Sequence, residues 1–171
     1  MVRRLLNPPM RTQNAIALPY LQRIFEQVGM AKVATSAEQA RQFGILSECD
    51  RVVMNRDHLL AEAKKEVLSM VGNGYHPPVP EKVYAAGRDG LAALKVGIYM
   101  FKEGKSITEH EAVIANWLAR VMCGGELSRP AWVDEQDILD LEREAFLSLC
   151  GEAKTQERMW NLLRTGKVLR N

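Results

Sequence analysis

The stretch Asp140-Leu-Glu-Arg-Glu-Ala-Phe-Leu-Ser-Leu-Cys-Gly151, followed by Lys154-Thr-Gln-Glu-Arg158 and Arg164-Thr-Gly-Lys-Val-Leu-Arg-Asn171, sets the architecture of the chain. Ile138, Leu141, Ala145 and Leu149 recur at helical spacing behind Asp134, a residue type that accepts hydrogen bonds from the free amides of a first turn. Gly151 stops that helix. Met159, Leu162 and Leu163 mark a second helix, closed by Gly166. Two short helices divided and ended by glycine give the pattern from which the rest can be read.

The same punctuation runs back toward the N-terminus. Ser106-Ile-Thr-Glu109 is a capping box, opening a helix with a wide apolar face of Val113, Ile114, Trp117, Leu118, Val121 and Met122 that Gly124-Gly125 closes. Leu91, Leu94, Ile98 and Phe101 define the helix before it, ending at Gly104. Pro77, Pro78 and Pro80 make residues 75–87 an extended connector, because proline lacks an amide proton and fixes φ. Upstream, Asp57 caps a helix with a buried stripe of Leu60, Ala63, Val67, Met70 and Val71, stopped by Gly72-Asn73-Gly74. Arg51-Val-Val-Met54 lies between the turn pairs Cys49-Asp50 and Asn55-Arg56 and reads as a strand. A second capping box, Ser36-Ala-Glu-Gln39, starts a short helix that Gly44 ends. Leu21, Ile24, Phe25 and Val28, between Pro19 and Gly29, form the first. The expected fold is mostly α, about seven helices with one short strand. Residues 1–16 are expected to be poorly ordered, 17–74 to form a helix, strand and helix region, 75–87 the connector, and 88–171 a C-terminal helical region.

Composition narrows the function classes. A chain of 171 residues fits one domain, able to bury roughly 70% of its unfolded surface. Apolar content of 47% and charged content of 26% describe an ordinary globular protein. A formal charge of +2 with no basic stripe argues against nucleic acid. No apolar run reaches the roughly 18 residues of a membrane span, and no long apolar region follows Arg3 and Arg4 as a secretory signal requires. Cys49, Cys123 and Cys150 form no Cys-x-x-Cys pair and read as reduced, buried thiols of a cytoplasmic protein.

No catalytic constellation stands out. Glu109-His110-Glu111 lacks the second histidine four residues on that a helical zinc motif needs, so no metal site is expected. Gly87, Gly90 and Gly97 miss the dinucleotide spacing. Gly124-Gly125 offers two backbone amides that could face an oxyanion, but a helix stop accounts for them more simply. Asp134, Glu135 and Asp137 suit a helix start, and Asp140, Glu142, Arg143 and Glu144 a solvated face.

A resemblance adds to this reading. Ala34-Thr-Ser-Ala-Glu-Gln-Ala-Arg-Gln-Phe-Gly-Ile-Leu46, Asp50-Arg-Val-Val-Met54 and Asp57-His-Leu-Leu-Ala-Glu-Ala63 resemble the late part of the crotonase (enoyl-CoA hydratase/isomerase) fold. Residues 139–149, Lys154-Thr-Gln-Glu-Arg158 and the ending Thr165-Gly-Lys167 through Leu169-Arg-Asn171 are similar to the C-terminal region of bacterial fatty-oxidation proteins. Those proteins join a 3-hydroxyacyl-CoA dehydrogenase to a crotonase-like hydratase. The resemblance covers about residues 17–171. It implies acyl-CoA and NAD as ligands of the parent family. In crotonases the catalytic glutamates and oxyanion loops precede the matched region, and Met1 to Ile16 holds no glutamate or glycine. The chain is therefore expected to carry no catalytic residue and to bind no cofactor of its own.

What the resemblance leaves for this chain is packing, oligomerisation or closure of an acyl-CoA pocket in a β-oxidation enzyme. Arg164 and Lys167 stand about where such tails contact CoA. Helices separated from the core they normally cover should expose an apolar patch larger than a few hundred Å², hidden by self-association or by the upstream crotonase and dehydrogenase portion. The alternative is an independent helical protein-interaction module.

Overall fold

The computed structural model describes residues 1–12 and 14–171. Eight α-helices and a two-stranded sheet account for its regular structure. The helices are α1 (Val2–Met10), α2 (Ala17–Gly29), α3 (Ala37–Gln42), α4 (Leu59–Gly72), α5 (Gly87–Glu103), α6 (Glu109–Met122), α7 (Glu135–Cys150) and α8 (Ala153–Thr165). The strands are β1 (Val83–Ala85) and β2 (Ala131–Val133). The chain divides into two compact units, one of residues 1–32 with 81–171 and one of residues 33–80. This division differs from the expected sequential partition, because the helix of residues 17–29 belongs with the C-terminal helices.

In the larger unit, α2, α5 and α6 pack around Leu21, Ile24, Leu91, Leu94, Ile98, Ala119 and Met122. Ala112, Ala119 and Met122, with His110 at its start, line the buried face of α6, whereas Trp117 and Leu118 are only partly buried. Within residues 1–16, expected to be a poorly ordered segment, residues 2–10 form α1 instead; residue 13 lies outside the described residues. Val2, Leu5 and Leu6 fall on one helical face, and Leu6 is completely buried. Pro8 and Pro9 sit in the last turn of α1, where the chain is already leaving the helix.

Asn7 anchors α1 to the sheet. Its amide nitrogen donates to the Lys82 carbonyl at 2.7 Å and its oxygen accepts from the Tyr84 amide at 2.9 Å. Those two backbone groups lie on the edge of β1 turned away from β2, so one side chain replaces a rung of a ladder. On the other edge β1 pairs antiparallel with β2 in the register Val83 to Val133, and Tyr84 meets Trp132 edge-on at 5.4 Å. The strand expected at residues 51–54 is not one: the chain there is irregular and has no neighbouring strand to complete a ladder.

Gly87 joins the sheet to α5 at φ +65°, and a β-carbon there would stand 2.6 Å from the Arg129 carbonyl carbon. Its amide donates to the Cys123 carbonyl at 3.0 Å. Only glycine satisfies both the left-handed backbone and that approach.

The smaller unit, residues 33–80, is held by polar contacts. Ser36 caps α3 by accepting from the Gln39 amide at 3.1 Å, but the Gln39 side chain reaches back to Thr35 rather than to Ser36. Asn55, not Asp57, accepts the first amide before α4: a single 3₁₀ turn over Arg56–His58 intervenes. Arg51 clamps the polar face of α4 through Glu62 at 3.1 Å and Glu66 at 2.9 Å. Among the described residues of this unit, Ala40 alone is buried.

Candidate functional site: bare apolar helix faces and a polar joint

The stripe Leu60, Ala63, Val67, Met70 and Val71, expected to be buried, is exposed along its whole length, with Leu60 83% accessible. At about 100° per residue these side chains and Leu59 share an arc of about 120°. The spacing 60, 63, 67, 70 alternates three and four residues, as in the seam of paired helices. Its polar side is taken up by Arg51 and by the Lys65–Glu62 pair, so α4 is ordered on one face and uncovered on the other.

Helix α8 shows the same reversal in the larger unit. Its half-buried residues are Thr155, Arg158 and Asn161, whereas Met159, Trp160, Leu162 and Leu163 face outward. The apolar residues that mark this helix in the sequence are therefore not its packing face. The reason is a polar joint against the start of α6. Buried His110 meets the Thr155 hydroxyl at 2.8 Å through Nε2. Thr108 caps α6, accepting from the Glu111 amide at 3.1 Å while Glu111 accepts from the Thr108 amide at 2.8 Å. The box therefore starts two residues later than Ser106, whose own amide closes α5 by donating to the Phe101 carbonyl.

Glu111 also gathers the tail. Arg170 donates twice to its carboxylate, both at 2.8 Å, and Arg158 stands 3.6 Å away. The Arg170 hydrogen bonds, with the Thr108 amide and the charge of Arg158, hold its pKa down at about 2. Asn171 accepts from Arg158 at 2.7 Å and donates to Glu157 at 2.8 Å. Apolar contact would leave these charges stranded, so matching them fixes which side of α8 turns inward.

The chemistry available to these groups is limited. A carboxyl held at about 2 is ionised at neutral pH and is no general acid. Burial, with Arg158 nearby, lowers the His110 pKa and keeps its imidazole neutral. Burial pushes the Cys123 thiol up to about 12, far from a reactive thiolate, whereas Cys49 is exposed rather than buried as expected. The amides of Gly124 and Gly125 donate to the Val121 and Arg120 carbonyls at 3.1 and 2.8 Å, so neither faces an oxyanion. Asp140 pairs with Arg143 at 2.8 Å and Glu144 with Arg120 at 3.1 Å. No group of three metal-ligating side chains occurs among the described residues, and no helix is long and apolar enough to cross a membrane.

Arg164 and Lys167 lie at the end of α8, one in its last turn and the other just past Gly166 (φ +67°). Both are exposed, and neither side chain makes a hydrogen bond or ion pair with another described residue. They line neither the cleft of Met10, Arg11, Glu81, Lys82 and Trp132 nor the groove between α5 and α6 at Tyr99 and Val113. Periodicity placed the α4 stripe inside; exposed apolar surface was expected only from the family resemblance, with no helix named for it. Periodicity shows that a helix has an apolar side but not which side meets the core.

No family model and no solved structure matches the chain. Over 147 residues it is 48% identical to a protein of Bacillus subtilis (strain 168) described as a probable 3-hydroxyacyl-CoA dehydrogenase. The match takes in 86% of this chain and 19% of that protein. It is a match to one part of a far longer protein. The chain thus spans about a fifth of the length of the curated relative it matches.

Proposed function

We propose that this chain is a helical, non-catalytic packing segment of a fatty-acid β-oxidation enzyme of the 3-hydroxyacyl-CoA dehydrogenase type. In this reading it corresponds to the crotonase-like C-terminal end of that enzyme. The bare seam of α4 carries the proposal: a 14-residue helix keeps all its large apolar side chains accessible while its polar side is occupied. The extensive identity to a limited part of a dehydrogenase supplies the occupant, namely the remainder of such an enzyme. Acyl-CoA and NAD are ligands of that remainder. The segment contributes apolar surface that excludes water from an adjoining domain, and its ionisable groups serve to hold its own helices.

A chimera tests this. The matched part of the Bacillus subtilis relative is replaced by this chain, and dehydrogenase turnover, solubility and melting temperature are measured. The chimera should fold and turn over like its parent, and Val67→Asp with Leu60→Asp should sharply lower its melting temperature. The same substitutions in the isolated chain should change stability by no more than about 0.5 kcal/mol. A chimera indifferent to both aspartates would refute the packing role and leave an independent interaction module as the better reading.

A further inference from the structure

We infer that the outer face of α8 pairs with the same face of a second copy of this chain, antiparallel about a two-fold axis near Trp160. Three observations carry this, none depending on the proposed enzymatic context. Met159, Trp160 and Leu163 fall within an arc of about 100° and are all exposed, Trp160 at 64% and Leu163 at 77%. The polar joint of His110–Thr155 and Glu111–Arg158 fixes that arc outward, so the helix cannot roll to cover it without breaking those contacts. The third observation selects the occupant. Glu157 and Arg164 lie seven residues apart on the same flank of the stripe, beside Trp160.

A two-fold axis perpendicular to paired helices reverses their direction and sets each flank against its own copy. Placed midway between residues 157 and 164, it brings Glu157 of one chain to Arg164 of the other twice over. It also brings the two Trp160 rings together at the axis, where aromatic side chains contribute most to an interface. The pattern is self-complementary only in this antiparallel sense, since a parallel two-fold sets the Glu157 and Arg164 flank against the opposite, uncharged flank of Thr155 and Leu162 and pairs neither charge. Arg164 is available for it, having no partner among the described residues, and Glu157 uses one oxygen for Asn171 and keeps the other. The buried stripe is short, so the pairing is a weak one that adds to any larger interface.

Sedimentation equilibrium of the full chain from about 10 to about 500 μM tests the pairing, with circular dichroism checking the fold of each variant. The wild type should show a concentration-dependent dimer. Arg164→Glu, at a residue that supports nothing else in the chain, should weaken it about tenfold, and Glu157→Arg by a similar factor. The double reversal Glu157→Arg with Arg164→Glu should return dimerisation to within about threefold of wild type. Trp160→Ala should weaken it by about a hundredfold. A wild type monomeric throughout, or a double reversal no better than either single change, would overturn the inference.

Discussion

The two units of this chain solve the problem of staying folded in different ways. Residues 1–32 and 81–171 enclose an apolar core in which Leu6, Leu21 and Ile24 are essentially inaccessible to water. Residues 33–80 bury Ala40 alone and rely on capping groups and the Arg51 clamp. Burial of a large apolar side chain is worth about 1.5–3 kcal/mol, whereas an exposed ion pair adds about 0–1 kcal/mol. A unit of the second kind has the stability of its local helices and little more. The comparison therefore teaches that one unit is held by its own apolar core and the other by local polar contacts, with its apolar helix face left accessible.

The widest separation between the units should appear in amide hydrogen exchange. Amides of α5 and α6 should be protected to the global stability, on the order of 5–15 kcal/mol, and those of α4 by no more than about 2 kcal/mol. Comparable protection in α4 would break the contrast. Next in size are core truncations: Leu21→Ala should cost about 2–5 kcal/mol in thermal or urea unfolding, against about 0.5 kcal/mol for Val67→Ala. Gly87→Ala should cost about 2 kcal/mol or more, since the added carbon meets the Arg129 backbone at an unfavourable φ.

The smallest expected effect concerns Glu111. Its folded pKa, about 2, lies below its ordinary 4.5, so the folded chain binds fewer protons than the unfolded one in between. The stability it contributes is present above about pH 4.5 and is lost as pH falls toward about 2. Glu111→Gln should lower stability at pH 7 by about 1–2 kcal/mol and flatten its decline in acid. An unchanged acid titration of unfolding would remove Glu111 from the joint.

Much of the helical architecture was legible because its signals are local. Asp134 marks a helix start by its capping carboxylate and Gly166 a helix end by its left-handed backbone. Gly104 and Gly151 end their helices as poor helix formers, and Ile138, Leu141, Ala145 and Leu149 declare the inner face of α7. The features that escaped depend on partners far along the chain. His110 and Thr155 are 45 residues apart, and nothing near either announces that the inner side of α8 is polar. β1 and β2 are three residues each, meaningful only once Val83 meets Val133, whereas Val52 and Val53 have strand-forming side chains and no ladder to join. At the candidate site the sequence placed Arg164 and Lys167 at the end of the last helix. It did not reveal that the apolar stripe beside them faces outward, because exposure is a property of the assembled fold.

Asn7 has a bearing on solubility. A two-stranded sheet has two open edges, and each can recruit a strand from another molecule and start aggregation. By occupying the Lys82 carbonyl and the Tyr84 amide, the Asn7 side chain blocks one such edge with a group that cannot propagate a ladder. In a chain that leaves so much apolar helix accessible, this limits one route of self-association to helical faces, whose geometry is selective, instead of strand edges, whose geometry is not.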